Sequence, residues 1–309
     1  MCDRKYAQRP SVSSFLMARL RCLAAAALLV SVTGVALGAP SFPPIGVPGQ
    51  YHPGKFIWFD LVTDDLAAAR KFYGAVFGWK FHTVAGAPAS YTVVEHAGRN
   101  IAGMFVQAPP PGATSTARWL ALLSVKDPVA AVRFVESQGG SVVVKPATLM
   151  GRGTHVLFRD PQGAVFGVLK SDSGDPADTP VADGDFFWLD LLARDPAQAA
   201  KFYRGLAGYE VHLRELGPGV TRAVLASGGY SRAGIAPLPA PVKQPGWLPY
   251  ILVDDVAGTL KKVRAAGGKV LVEPRADLLE GNLAVIADPR GGVLGIVNWL
   301  HSENGGSAR

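Results

Sequence analysis

Phe56-Ile57-Trp58-Phe59-Asp60-Leu61 returns 130 positions later as Phe186-Phe187-Trp188-Leu189-Asp190-Leu191. Asp65, Lys71-Phe72-Tyr73, Gly78 and His82 return at the same spacing as Asp195, Lys201-Phe202-Tyr203, Gly208 and His212. A repeat this long is a whole folding unit rather than a short solenoid motif, so sites are expected where copies face each other. A second match lies inside the first. Trp119, Val125, Asp127 and Gly139-Gly140 correspond to Trp247, Val253, Asp255 and Gly267-Gly268, and Asp160-Pro161-x-Gly163 to Asp288-Pro289-x-Gly291. The chain reads A-B-A′-B′, four modules in two pairs.

Each module carries the same local signals. Phe56 to Val62 is aromatic and β-branched and reads as a strand. Asp65 then caps a helix reaching about Phe77, where Gly78 stops it. Asp195-Pro196 and Asp127-Pro128 place Asp at the cap and Pro in the first turn. Phe72 with Val76, and Tyr73 with Phe77, share a face by their i, i+4 spacing. Three further strands follow, near 79–84, 91–96 and 102–106 in the first module. Asp160-Pro161-Gln162-Gly163 and Asp288-Pro289-Arg290-Gly291 fit a type I turn. Each module is therefore β-α-β-β-β, and its small sheet needs another module to cover it. The expected class is α+β: two cupped, barrel-like mixed sheets with helices outside. The expected domains are 55–170 (modules 55–107 and 118–170) and 185–300 (modules 185–237 and 246–300), joined by a Pro/Gly-rich linker, 171–184. An extended lead-in, 40–54, precedes them and a tail, 301–309, follows.

Residues 1–39 stand apart. Arg19 and Arg21 precede an apolar run, Leu23 to Leu37, that ends at Gly38-Ala39, the pattern of a secretory signal. Met17 can serve as the start. The run is short for a span, which sets an uncleaved anchor second. Export to the periplasm or medium is expected, with no membrane association after cleavage. Both cysteines, Cys2 and Cys22, fall in this segment, so residues 40–309 contain no thiol. The formal charge of +7 also shrinks, to 26 basic and 23 acidic residues beyond position 39. With no Lys/Arg cluster, nucleic acid is not an expected partner.

The strand-Asp-helix entries ending Phe72-Tyr73 and Phe202-Tyr203, with the two Asp-Pro-x-Gly turns, resemble the vicinal oxygen chelate superfamily. That group includes glyoxalase I, bleomycin- and fosfomycin-resistance proteins and extradiol dioxygenases. The resemblance covers Phe56 to Leu300. It implies paired modules around a cavity and, in many members, a divalent metal held by His, Gln or Glu. The corresponding positions here are Trp58, Leu120 and Gly167, and Trp188, Leu248 and Gly295. Indole, Leu and Gly offer no suitable lone pair, so no metal or other cofactor is expected.

By strand alternation Asp60 shares a face with Trp58, and Asp190 with Trp188. An aromatic wall with a fixed polar group suits small-molecule binding. A carboxylate in a partly dry cavity can serve as general acid or base, so Asp60 and Asp190 are the catalytic candidates. They can equally be bonded to backbone or an Arg, holding modules together. His82 and His212 are shared by the repeat. His96 and His155 fall on Ala226 and Leu283, and with Glu95 and Arg152 near them they suggest a site in the first domain alone. Gly151-Arg152-Gly153 reads as a hairpin. The leading expectation is an exported, metal-independent protein that binds a small molecule. The alternatives are a lyase, isomerase or dioxygenase-like enzyme, with a carboxylate base or a metal at unusual positions, and a structural or interaction protein with filled cavities. A monomer is sufficient, since four modules complete two cavities; a homodimer is the other option.

Overall fold

The computed structural model describes residues 42–85, 87, 91–217, 220–240 and 242–299, within one compact unit. Residues 1–39, read above as a signal, both cysteines and the tail lie outside the described residues.

The first half contains β1 (Phe56–Thr63), α1 (Leu66–Phe77), β2 (Lys80–Thr83), β3 (Thr92–His96), β4 (Arg99–Val106), β5 (Arg118–Ser124), α2 (Pro128–Ser137), β6 (Ser141–Leu149), β7 (Gly153–Arg159) and β8 (Val165–Ser171). The second half repeats it as β9 (Phe186–Ala193), α3 (Pro196–Ala207), β10 (Glu210–Gly217), β11 (Val220–Ser227), β12 (Tyr230–Pro237), β13 (Gly246–Leu252), α4 (Val256–Ala265), β14 (Lys269–Val272), β15 (Leu283–Ala287) and β16 (Val293–Val297). Each half is one eight-stranded mixed sheet, in the order β2-β3-β4-β1-β5-β8-β7-β6 and β10-β11-β12-β9-β13-β16-β15-β14. The modules join at the antiparallel β1–β5 and β9–β13 seams, and the sheets are cupped rather than closed.

The helix signals act as read. Asp65, Asp127, Asp195 and Asp255 each accept backbone N–H groups at a helix start. Gly78 and Gly208 end α1 and α3 in the left-handed region, at φ 72° and 70°, where a Cβ would be strained.

The two halves share one apolar core. Phe59 stacks on Phe186 with ring centroids 4.0 Å apart, and the Trp79 indole donates to the Gly184 carbonyl at 2.7 Å. The repeated Tyr and Asp-Pro-x-Gly residues meet across this junction. Tyr73 donates to Asp288 Oδ2 at 2.9 Å and accepts from Trp119 at 3.0 Å. Tyr203 donates to Asp160 Oδ2 at 3.0 Å and accepts from Trp247 at 3.1 Å. Each tyrosine thus ties its helix to the turn of the opposite half. The most strongly repeated residues build the junction between halves; the cups lie inside each half.

The strand pairings revise one correspondence. Val93 faces Gly103, and Val224 faces Gly234, so the β10–β11 hairpin holds one extra residue. Tyr91 therefore corresponds to Arg222, and His96 to Ser227 rather than Ala226.

Candidate functional site: the cup of the first half

Trp58 and Asp60 point to the same side of β1, as strand alternation requires, and meet Leu120 and Leu122 from β5. His155 and Leu157 from β7, with Ala147 and Leu149 from β6, form the far wall. Phe42, from the lead-in, and Arg152, from the β6–β7 turn, pack together on another side, both buried. Together with Tyr91 and Phe105 they enclose a cavity of about 330 Å³. That volume lies at the small end of the range for ligand pockets.

Asp60 is clamped by its neighbours. Its Oδ1 accepts the Trp58 indole N–H at 3.0 Å and the Tyr91 hydroxyl at 2.6 Å. The indole N–H also reaches the Tyr91 oxygen, at 2.9 Å. Burial pushes the Tyr91 phenol far above its ordinary range, and the Asp60 charge adds to that, so it remains a donor. Gly103 is required beside the clamp: a Cβ there would collide with the Tyr91 hydroxyl and Asp60 Oδ1.

Arg152 is only 3% exposed, and its guanidinium carbon lies 4.0 Å from the centroid of the Trp58 ring. Phe42 and Tyr91 complete the cage at 5.3 and 5.6 Å. Its three guanidinium nitrogens have no hydrogen-bond partner among the described residues. Cation–π attraction contributes about 2 kcal/mol at best. Burying an unpaired ion costs several kcal/mol, so the cage alone does not offset it. Burial lowers the His155 pKa below 6.5, Asp60 opposes that and Arg152 adds to it, so the ring is held neutral. Its Nδ1 is enclosed and likewise unpartnered among the described residues.

The second half is built differently at the same place. Asp190 accepts the Trp188 indole at 2.9 Å and forms an ion pair with Arg222, which stands where the first half has Tyr91. Burial pushes the Asp190 carboxyl up against the pull of Arg222. Tyr250 replaces Leu122 and packs against Gly295 and Asp190. Leu283 stands in place of His155, and the position matching Arg152 is Glu280, exposed in a 3₁₀ turn, Leu279–Gly281, that replaces the end of the β6–β7 hairpin.

The metal positions can be tested on this geometry. The Trp58 and Trp188 indole nitrogens are hydrogen donors already engaged, and Leu120 and Leu248 are hydrocarbon. A Cβ on Gly167 would sit 2.9 Å from Leu157 and 3.0 Å from Leu122, while at Gly295 it would strike the Tyr250 ring. Among the described residues no group of three His, Cys, Asp or Glu could hold an ion. The residues present do not fit the superfamily's metal.

Among the described residues, His155 is the one histidine lining this cavity. His82 is exposed on edge strand β2 and paired with Glu95 at 2.6 Å. His212 is exposed on edge strand β10, 3.7 Å from Glu210. His96 binds Asp185 at 2.8 Å, between the halves. The suggested grouping of His96, Glu95 and His155 therefore does not form, because β3 carries His96 and Glu95 away from the cup. Arg152, noted beside them as part of a hairpin, and Tyr91, not singled out, prove central. A larger, open groove of about 1010 Å³ runs past His52, Asp127 and Gly205. Its Arg232 is paired with Asp178, which also takes Lys55 at 2.9 Å, so both cations already share a carboxylate partner.

Two pairs of βαβββ modules around cups define a fold of the glyoxalase and dioxygenase type. The family model of the Glyoxalase/Bleomycin resistance protein/Dioxygenase superfamily matches residues 55–168, and a glyoxalase-like domain model matches 187–297. The chain belongs to that superfamily. CFP32 of Mycobacterium tuberculosis, which carries a glyoxylase name, is 31% identical over 253 residues, spanning 80% of this chain and 96% of that protein. The anthracycline biosynthesis protein DnrV of Streptomyces peucetius is 30% identical over 264 residues, 80% of this chain and 94% of that protein. In structure the chain is similar to a Mn(II)-bound glyoxalase from Novosphingobium aromaticivorans (TM-score 0.56, 18% identity, 81% of this chain and 83% of that one). It is also similar to an extradiol ring-cleaving dioxygenase from B. fuscum (TM-score 0.53, 16% identity, 82% and 74%). These two likenesses concern the fold alone.

Proposed function

We propose that this is a small-molecule-binding member of the superfamily that works without the divalent metal and uses the cup of the first half. The carrying observation is the cavity itself: about 330 Å³, walled by aromatic and aliphatic side chains, with Asp60, Arg152 and His155 as its few polar groups. That combination is what a pocket for a small planar molecule requires. Export through the residue 1–39 signal and action as a monomer belong to the same proposal. The homologous proteins named for glyoxylase activity and anthracycline biosynthesis fit a small organic ligand. The test is thermal-shift screening of small aromatic compounds on wild type and Ala147→Phe, which projects a ring into the cavity from half-buried Ala147 on β6. Hits that raise the Tm of wild type and leave Ala147→Phe unchanged support the reading. Equal shifts in both would refute it.

Asp60 and a neutral His155 in one cavity favour a second reading, acid–base chemistry on the bound molecule. Asp60→Asn would then keep binding and lose turnover by at least a hundredfold.

A further inference from the structure

We infer that the first cup selects an anionic aromatic molecule, an aryl carboxylate whose acid group seats on Arg152 while its ring occupies the apolar cavity beside Trp58. This deepens the small-molecule reading and rests on it. Arg152 lines the cavity with 3% of its surface exposed, and all three of its guanidinium nitrogens are enclosed and unpartnered among the described residues, so an acid is seated as the side chain turns from its aromatic cage toward the cavity. Its guanidinium carbon lies 4.0 Å from the Trp58 ring centroid, so aromatic contact covers its surface while its hydrogens still require acceptors. A carboxylate offers two acceptors in the fork geometry that guanidinium matches, and cancels its charge. Water offers acceptors without charge.

Two features of the chain set this arginine apart from a structural cation. The second half completes its eight-stranded sheet with Glu280 at the matching sequence position, in a 3₁₀ turn that replaces the end of the first half's β6–β7 hairpin, so the sheet itself does not need a cation there. The second cup's own arginine, Arg222, is already neutralised by Asp190. Asp60, the acid of the first cup, has its Oδ1 occupied by Trp58 and Tyr91, and no ion pair joins it to Arg152 among the described residues. A single guanidinium in a mainly apolar cavity suits a monoanion better than a phosphate dianion, which would call for more donors. The Asp60 carboxylate also disfavours a second acid group and accepts a ring hydroxyl or N–H.

The experiment compares matched acids and amides, 2-naphthoate with 2-naphthamide and benzoate with benzamide, by calorimetry on the full chain. The acid is expected to bind at least tenfold tighter than its amide. Arg152→Met should bring the acid down to the amide's affinity and leave the amide unchanged. If Arg152→Met does not fold, the wild-type acid/amide ratio still decides, and Arg152→Lys should retain part of the preference. Equal binding of acid and amide overturns the inference and leaves the cavity reading standing. An acid preference that survives Arg152→Met or Ala147→Phe also overturns it, by placing the site elsewhere. Absence of binding by either class counts against both readings.

Discussion

Tyr203→Phe removes one oxygen from a fully buried position and is expected to weaken the junction between halves disproportionately. The lost hydroxyl donates to Asp160 Oδ2 at 3.0 Å and accepts from Trp247 at 3.1 Å. Asp160 keeps its backbone donors, Gln162 and Ala164, but both serve Oδ1. A hydrogen bond to a charged group contributes about 1.5–3 kcal/mol, and an orphaned indole N–H costs about 1 kcal/mol. Trp247 is only half-buried, which puts its share at the low end. The expected loss is therefore about 2–4 kcal/mol. Tyr73→Phe should cost at least as much, because its indole partner, Trp119, is buried. Burial already raises the Asp160 pKa, and Tyr203 is among the groups that hold it down. Without that hydroxyl the folded pKa rises further, so the deficit is fully present at neutral pH and shrinks as pH falls through the folded pKa. Urea unfolding at pH 7 and pH 5 measures both effects. Since the two halves share a core, wild type should unfold in one transition. Costs below about 0.5 kcal/mol, or two separated wild-type transitions, would mean that these tyrosines do not hold the halves together.

Three further outcomes follow from the same geometry. Gly167→Glu, which puts a carboxylate at a superfamily metal position, should destabilise the chain by about 1–3 kcal/mol through overpacking against Leu157 and Leu122. It should gain no affinity for Mn(II) in calorimetry. His155 has its folded pKa lowered by burial, so its contribution is complete above pH 6.5 and declines as pH falls below it. The Tm of wild type should drop between pH 7.5 and 5.5 more steeply than that of His155→Leu. Burial would raise the Asp178 pKa, yet hydrogen bonds from Arg232 and Lys55 bring it to about 2. Its stabilisation is thus present above 3.8 and lost as pH falls through about 2, and Asp178→Asn should flatten the acid limb of stability against pH over that window.

The fold was legible because its determinants are local and written repeatedly. Asp caps, Gly stops and Asp-Pro-x-Gly turns each act within a few residues, and the repeat set them side by side. The site was only partly legible. Trp58, Asp60 and Leu120 follow from strand alternation, which fixes a face without knowledge of partners. Tyr91 lies just beyond a hairpin whose copy is one residue longer, so a constant spacing of 130 pairs it with Thr221 and hides its exchange for Arg222. Arg152 stood in plain view in Gly151-Arg152-Gly153, but a turn arginine normally faces water. Its burial depends on Phe42 folding back from more than a hundred residues away. His82 and His212 misled for a related reason: repeat-matched residues on edge strands β2 and β10 are free to face solvent. Asp190 fits the reading in which an Arg holds the carboxylate, whereas Asp60 does not, and local sequence does not separate them.

Two cups of common origin differ in this chain, and the site proposed for an aromatic acid lies in the first. Calorimetric stoichiometry with 2-naphthoate distinguishes one such site from two. One site per chain, abolished by Ala147→Phe, is the predicted result; two equivalent sites, or one that Ala147→Phe leaves intact, would contradict it.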